Sequence, residues 1–273
     1  MQIRTLCWNI FHGRDAPPDP SLYTLRSKLF RITERDGNYV QVNRDLFQQY
    51  ADLITAAEWD VALLQEFPPR WAQPLAGLCV AEAHRVLTSR NWIPPLQGAI
   101  HRFNPDLPGS WEGGSNTTLI RKRGIAERLE RVIRPGDPER RAMAFTRLDD
   151  GVCVANFHAS NDNYALAEEE IRLAAETATE WAGDSPLVFG GDFNLRPNHS
   201  ELFSELADDF GLGPPTAPDA IDHVLVRGLD VREAPHQWPA EAREIPWDGY
   251  MLRLSDHAPV EALFAVPTSS PGG

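Results

Sequence analysis

The chain has 273 residues, 42% of them hydrophobic, and its 39 acidic against 26 basic side chains leave a net charge of −13. That length and apolar fraction suit one domain with a sizeable core, expected over residues 1–266. The acidic balance argues against a broad electrostatic grip on nucleic acid, and no run approaches the ~18 apolar residues that cross a bilayer.

In chain order, "IRTLCWNI" reads as a strand. After a Pro-rich loop, "RDLFQQYADLITAAEW" puts Leu46, Phe47, Tyr50, Leu53, Ile54 and Ala57 on one helical face. "VALLQEF" is a buried strand, and "PRWAQPLAGLCVAEA" is expected to be a helix with Pro in its first turn. The stretch from Ile93 to Ser115, rich in Pro, Gly and aromatics, reads as a long surface loop of the kind that lines binding sites. "TTLIRK", "AMAFTRL" and "VCVANFH" are strands, the last two a hairpin around "DDG". Between them, Arg121 to Arg147 leans basic, and its interspersed Glu marks a solvated face. "ALAEEEIRLAAETATEWA" is an amphipathic helix. "PLVFGGDFN" is a buried strand running into a loop, and "SELFSELADDFG" a helix ending at Gly. "QWPAEAREIPWDGYMLR" is a second candidate specificity loop. "IDHVLVRG" and "APVEALFAV" are the closing strands, with Val260, Ala262, Phe264 and Val266 on one face. Residues 267–273, "PTSSPGG", are expected to be a disordered tail. Strands and helices mix without the strict alternation of a parallel barrel, so two packed sheets with helices outside are expected.

The cysteines, Cys7, Cys79 and Cys153, are odd in number, and two of them lie in apolar runs. With no leader peptide visible at "MQIRTLCWNI", this fits a reducing, cytoplasmic setting.

Polar residues recur where strands end. Asn9 ends the first, Glu66 ends "VALLQEF", His158 ends "VCVANFH", and Asp192 and Asn194 end "PLVFGGDFN". Asp222 opens "IDHVLV", and Asp256 and His257 open the last strand. Strands lying side by side would gather these acids, amides and imidazoles on one rim. Each residue also has a plainer reading. Asn9 could cap a turn, "GGDFN" could be a turn, His158 could be a hydrogen-bonded core histidine, and Asp222 with His223 could be a strand-entry pair. Glu66 is harder to dismiss, because an unpaired carboxylate after an apolar run is costly. His12, His84, His101, His199 and His236 read as ordinary surface or loop histidines.

"CWNI", "LLQEF", "NFHAS", "GGDFN", "IDHVLV" and "LSDHAPV" stand in the order and rough spacing of the endonuclease/exonuclease/phosphatase superfamily, which the chain resembles from Leu6 to about Val266. The resemblance implies an α/β fold, a deoxyribonuclease I-like four-layer sandwich of two packed mixed β-sheets flanked by helices. It also implies Mg²⁺-dependent cleavage of phosphate esters. By position, Asn9, Glu66 and Asp256 correspond to metal-site residues, and Asp192 and Asn194 to the pair that orients the attacking water and the phosphate. His158 resembles a phosphate-binding histidine, and His257 a second catalytic histidine with Asp222 as its carboxylate partner. Phe11 stands where AP endonucleases carry an Asp, and those enzymes lack a histidine at the place of His158, so that branch is disfavoured.

The chemistry of the residues agrees. Mg²⁺, or Mn²⁺ in its place, takes oxygen ligands, and Glu66 with Asp256 supplies them. No Cys or Ser stands in a nucleophile setting, so direct attack by water is expected. The expected activity is hydrolysis of phosphodiesters, nuclease-like, by a monomer that holds any nucleic acid only locally. The alternatives are a phosphatase or phosphodiesterase acting on a small phosphorylated metabolite or lipid headgroup, and a catalytically silent binding module. Trp92, Phe103, Trp111, Trp238 and Trp247 could stack on bases or pin the loops down.

Overall fold

The computed structural model describes residues 1–89, 94–107, 114–136, 139–161 and 163–267. A six-stranded sheet runs in the order β12 (Asp230–Gln237), β15 (Val260–Ala265), β1 (Gln2–Asn9), β4 (Val61–Gln65), β6 (Ser115–Ile120) and β5 (Glu82–Leu87). A five-stranded sheet runs β11 (Asp222–Arg227), β10 (Leu187–Asp192), β9 (Cys153–His158), β8 (Arg141–Leu148) and β7 (Ile125–Arg134). Both are mixed: β1 pairs β4 in parallel and β10 pairs β9 in parallel, while the remaining neighbours are antiparallel.

The two sheets face each other across a dry layer built from alternate strand positions. Ile3, Cys7, Leu63, Val260, Ala262 and Phe264 meet Val154, Val188, Val224 and Val226, all nearly or fully buried. The outer face of the six-stranded sheet is covered by α2 (Phe47–Ala56) and α3 (Ala72–Cys79) through Leu46, Tyr50, Ile54 and Leu75. The outer face of the five-stranded sheet is covered by α5 (Tyr164–Ala182) and α6 (Leu202–Phe210). On α5 the buried face is mostly alanine, with Ala167, Ala174, Ala175 and Ala178 around Ile171, so the helix can lie close to the strands. Asn163 caps its start by accepting from Ala165 N at 2.9 Å. The result is the expected four-layer sandwich.

A third, four-stranded sheet adds to that expectation: β13 (Glu244–Trp247), β14 (Tyr250–Arg253), β3 (Tyr39–Gln41) and β2 (Glu34–Asp36). The stretch around "EIPWDGYMLR" is thus a hairpin rather than a loop. The region from Ile93 to Ser115 likewise holds a helix, α4 (Pro94–Phe103), and a short helix α1 (Leu25–Phe30) lies in the Pro-rich loop. The helix expected through Ala83 stops at Cys79, with Val80 left-handed at its end, and the chain turns into β5. Trp238 and Trp247 pack against the core on the α2 side, and the Trp238 indole donates to Glu261 Oε2 at 3.0 Å. These two pin their loops. Phe103 is exposed with the Arg31 guanidinium 4.6 Å from its ring centre. Trp92, Trp111 and the tail from 268 onward lie outside the described residues. The cysteines are buried free thiols. Among the described residues, no helix is long and apolar enough to cross a membrane.

Candidate active site

Strand direction gathers the polar ends. β1 and β4 run in parallel, so Asn9 lies opposite Gln65 with Glu66 next in the chain. β15 runs back from the same end, with Val260 opposite Cys7, which brings Asp256 and His257 to the mouth of β1. In the other sheet Asp192 lies opposite His158 on one side and Asp222 on the other. The two glycines of "GGD" are needed for close packing, Gly191 against the neighbouring strand β9 and Gly190 against the facing sheet. A Cβ on Gly191, at φ +148°, would fall 1.7 Å from the Phe157 carbonyl oxygen, and one on Gly190 would fall 2.8 Å from Leu63. "GGD" is therefore strand, not turn.

Asp192 is the hub. Fully buried, its Oδ2 accepts from Asn9 Nδ2 at 2.8 Å and lies 3.3 Å from His158 Nε2 and 3.7 Å from His257 Nε2. Its Oδ1 accepts from the Asn194 backbone N–H at 3.0 Å. The Asn194 side chain turns to donate to the Ala159 carbonyl at 3.2 Å. Behind His257, Nδ1 and the Asp222 Oδ2 are 2.8 Å apart. Asn9 is a bridge: its amide donates to Asp192 while its Oδ1 accepts from Phe11 N at 3.0 Å, which leaves one lone pair on that oxygen.

Burial and neighbouring charge set opposite protonation states. Burial pushes the Asp192 carboxyl up to about 7, with Asp222 adding to the rise. His257 goes the other way from an ordinary buried imidazole. Burial works to lower it, but Asp222, Asp192 and Asp256 outweigh burial and raise it well above its usual value. Burial holds His158 down to about 3, so that ring is neutral. For Glu66, burial would raise the carboxyl, yet His12, His158 and the Asn9 amide hold it at about 2, so it stays ionised.

The sequence reading missed several contributors. His12, read as an ordinary loop histidine, is buried, with Nε2 3.2 Å from Glu66 Oε2. His84 and His101 are also buried rather than on the surface, whereas His199 and His236 are exposed. Ser255 staples the last strand to the first: its hydroxyl donates to the Asn9 carbonyl at 2.6 Å and accepts from His257 N at 3.1 Å. The Trp8 indole donates to the His257 carbonyl at 2.9 Å. Phe11, His12, Glu66, Asn194 and Ser255 all have positive φ without being glycine. Such backbone costs on the order of 1 kcal/mol or more per residue and persists where the surroundings over-determine it. Glu66 and Asn194 stand out in the sequence at the ends of apolar runs, whereas no periodicity or composition marks His12 or Ser255 in advance; only the rim they share identifies them.

Two places could hold a cation. Asp192, Asp222 and His257 have ligand atoms within 4.8 Å of one another. That cluster is better read as a hydrogen-bonded relay, because His257 gives Nδ1 to Asp222 and is held protonated. Glu66 and Asp256 fit a hard divalent ion better. Glu66 is ionised and faces a cavity of about 420 Å³, and Asp256 has its side chain half exposed at the mouth of the cleft. Oxygen donors and an open path suit Mg²⁺, which keeps several waters.

Two sandwiched mixed sheets, opening at one end onto this acid–imidazole rim, define a phosphoester hydrolase of the deoxyribonuclease I-like fold. The chain belongs to the Endonuclease/Exonuclease/phosphatase family, whose model matches residues 6–257. Members are hydrolases acting on phosphoesters and are generally dependent on divalent metal. Among solved structures, the fold is similar to an endonuclease/exonuclease/phosphatase family protein from Bacteroides thetaiotaomicron, at TM-score 0.65 and 13% identity over 98% of this chain and 99% of that one. It is similar also to a mannosyl-6-phosphatase from Bacteroides thetaiotaomicron, at TM-score 0.62 and 14% identity over 96% and 99%. The catalytic domain of human Nocturnin with bound sulfate matches at TM-score 0.61 and 14% identity over 97% and 95%. At these identities the likeness shows the fold alone. No protein of curated function matches the sequence.

Proposed function

We propose that the chain hydrolyses phosphate esters by in-line attack of water, with Mg²⁺ or Mn²⁺ held by Glu66 and Asp256 and the remaining Asn9 lone pair. A bound divalent ion would neutralise charge on the phosphoryl oxygens. The observation that carries the reading is the position of Asp192 between a cationic and a neutral imidazole. Asp192 Oδ2 takes a proton from the attacking water as the new O–P bond forms and the ester P–O bond breaks, with Asn9 and Asn194 fixing its orientation. His257 Nε2–H holds the phosphoryl oxygens while Asp222 fixes its tautomer and stabilises the imidazolium. His158 adds a neutral N–H to the same pocket. The leaving oxygen takes a proton from the His257 imidazolium, which recovers it from Asp192 at 3.7 Å, so the products are an alcohol and a phosphate.

The resemblance puts a nuclease-like phosphodiesterase first. The cavity beside Glu66 and His158, in the lower half of the roughly 300–1,000 Å³ range of small-molecule pockets, favours a small phosphorylated metabolite instead. A silent binding module has no support in the side chains, since Asp192, Asp222 and His257 are present and in contact and Glu66 is present beside His12 and the Asn9 amide. A Mg²⁺ activity panel of DNA, RNA, bis-p-nitrophenyl phosphate and phosphomonoesters tests the reading. Hydrolysis that is lost in Asp192→Asn is expected; no hydrolysis of any of them would sink it.

A further inference from the structure

The buried face of α5 carries one charged residue. Glu170 lies 2% exposed among Ala167, Ile171 and Ala174, where an apolar side chain would be expected. Replacing such a charge by a well-packed apolar side chain is often neutral for stability, so its use is read from the groups it orients. Those groups lead to the catalytic cavity. We infer that Arg141 is a further ligand for the phosphoryl oxygens, and that Glu170 positions it by acting through Ser160. The inference rests on the proposed phosphoester hydrolysis and adds these residues to its machinery.

Three contacts connect Glu170 to Arg141. Glu170 Oε2 accepts from Ser160 N at 2.7 Å, and its Oε1 accepts from the Ser160 hydroxyl at 2.9 Å. The same Oε1 meets Arg134 Nε at 2.5 Å. Ser160 Oγ has then given its one hydrogen to Glu170 and accepts on both lone pairs, from Arg134 Nη2 at 3.1 Å and from Arg141 Nε at 3.1 Å. The hydroxyl is saturated, and the carboxylate sets its direction. Charge and position are divided between the two arginines. Arg134 sits on the Glu170 carboxylate and neutralises it. Arg141 is held by a neutral hydroxyl, so this contact fixes the guanidinium without cancelling its charge.

Arg141 brings that charge to the reacting end. Its side chain lines the cavity together with Glu66 and His158. Burial does most to lower the His158 pKa, and the Arg141 charge lowers it further against the pull of Glu66, which puts the guanidinium within electrostatic reach of that ring. Bonded through Nε, the planar fork keeps Nη1 and Nη2 for a partner in the cavity. Glu139 Oε2, 3.9 Å from Nη2, is beyond hydrogen-bond length. Paired N–H groups of this kind match two oxygens of a phosphoryl group. The intervening backbone is tied as well: Ala159 N donates to the Asp192 carbonyl at 2.9 Å, and Asn194 Nδ2 donates to the Ala159 carbonyl at 3.2 Å. Ala159 and Ser160 thus join Arg141 to the strand that ends in Asp192.

Isothermal titration of the full chain with inorganic phosphate in the presence of Mg²⁺ reads the contact without turnover. Steady-state kinetics on p-nitrophenyl phosphate and bis-p-nitrophenyl phosphate read it in catalysis. In Arg141→Ala the phosphate Kd should rise about tenfold or more and kcat/KM should fall about 10²-fold, the usual effect of removing one preorganised donor. Glu170→Gln should weaken phosphate binding about threefold or more when Arg141 is present and leave it unchanged once Arg141 is alanine, because it acts through that guanidinium. A residue that only secures α5 would have the same effect in both backgrounds. Ser160→Ala leaves α5 intact and should repeat the pattern, which decides the matter if Glu170→Gln does not fold. No phosphate binding by the unaltered chain, or an unchanged Kd in Arg141→Ala, overturns the Arg141 contact. Equal effects of Glu170→Gln and of Ser160→Ala in both backgrounds overturn the positioning role. Failure to hydrolyse either ester would remove the proposed hydrolysis, while the phosphate titration still decides Arg141.

Discussion

His257 Nδ1 and Asp222 Oδ2 lie 2.8 Å apart, joining the mouth of β15 in one sheet to the first residue of β11 in the other. The carboxylate is almost fully buried, so the pair stands in a medium where loss of its charge is felt strongly. Asp222→Asn keeps the shape but removes the charge that supports an imidazolium. It should lower kcat by about 10²-fold or more and leave KM within a few-fold, because the interaction strengthens as charge develops. His257→Ala should be at least as severe. The double variant should be little worse than His257→Ala, since the residues act as one unit. Additive losses in steady-state kinetics would show that the contact does not operate in catalysis.

This pair also shows what a sequence can and cannot reveal. "VLV" and "LFAV" announce buried strands by alternation, and polar residues at their ends stand out against that pattern. The pairing of Asp222 with His257 follows once the strands share a rim. Strands β7 and β12 were missed because they are edge strands with charged, exposed side chains on both faces, so no alternation marks them. β5 was absorbed into the preceding helix because nothing but the left-handed Val80 separates "GLC" from "EAHRVL". His12 was missed for a different reason. Its role depends on a left-handed turn at Phe11–His12 that delivers the ring to Glu66, and a lone histidine in a loop carries no trace of that turn.

Metal removal gives the second prediction. Activity should vanish with chelator and return with Mg²⁺ or Mn²⁺, and Glu66→Gln should not recover. With Phe11 in place of a further acid, one tight ion per chain is expected. His12→Ala should weaken Mn²⁺ binding by about 10- to 100-fold, the usual effect of losing a group that orients a ligand. Electron paramagnetic resonance of Mn²⁺ titrations reads this without turnover. Unchanged affinity in His12→Ala would restrict His12 to packing.

Nucleic-acid binding gives the third. The basic-leaning stretch is neutralised strand by strand: Arg128 pairs with Glu82 at 2.5 Å, Arg140 with Glu130 at 2.5 Å, and Arg147 with Glu127 at 3.3 Å. With a net charge of −13, duplex DNA should bind no more tightly than roughly micromolar at physiological salt, with a salt slope of only about two or three phosphate contacts. Fluorescence anisotropy across a salt series measures both. Nanomolar affinity would mean that a local groove overrides the global charge.

Acid stability gives the fourth. His223 follows Asp222 in the chain but points the other way, into the core between Phe193 and Phe203, with ring centres 5.6 and 4.6 Å away. Its Nε2 lies 3.0 Å from the Leu195 carbonyl and its Nδ1 accepts from Thr216 N at 3.2 Å, an arrangement only the neutral Nε2–H tautomer satisfies. Burial holds its pKa down to about 4. Between about pH 6.5 and 4 the unfolded chain therefore binds a proton that the folded chain refuses, and stability falls as pH falls through that window. Above it the contribution is complete. The full loss is of the order of 3 kcal/mol, since each tenfold difference in proton affinity is worth about 1.4 kcal/mol. His223→Gln should be less stable at pH 7 through lost packing, yet its urea midpoint should decline less steeply from pH 6.5 to 4. His84, also held to about 4 by burial, leaves part of the slope in place in both proteins. Parallel declines in the two proteins would mean that His223 is protonated in the fold with its hydrogen bonds rearranged, and that the acid sensitivity lies elsewhere.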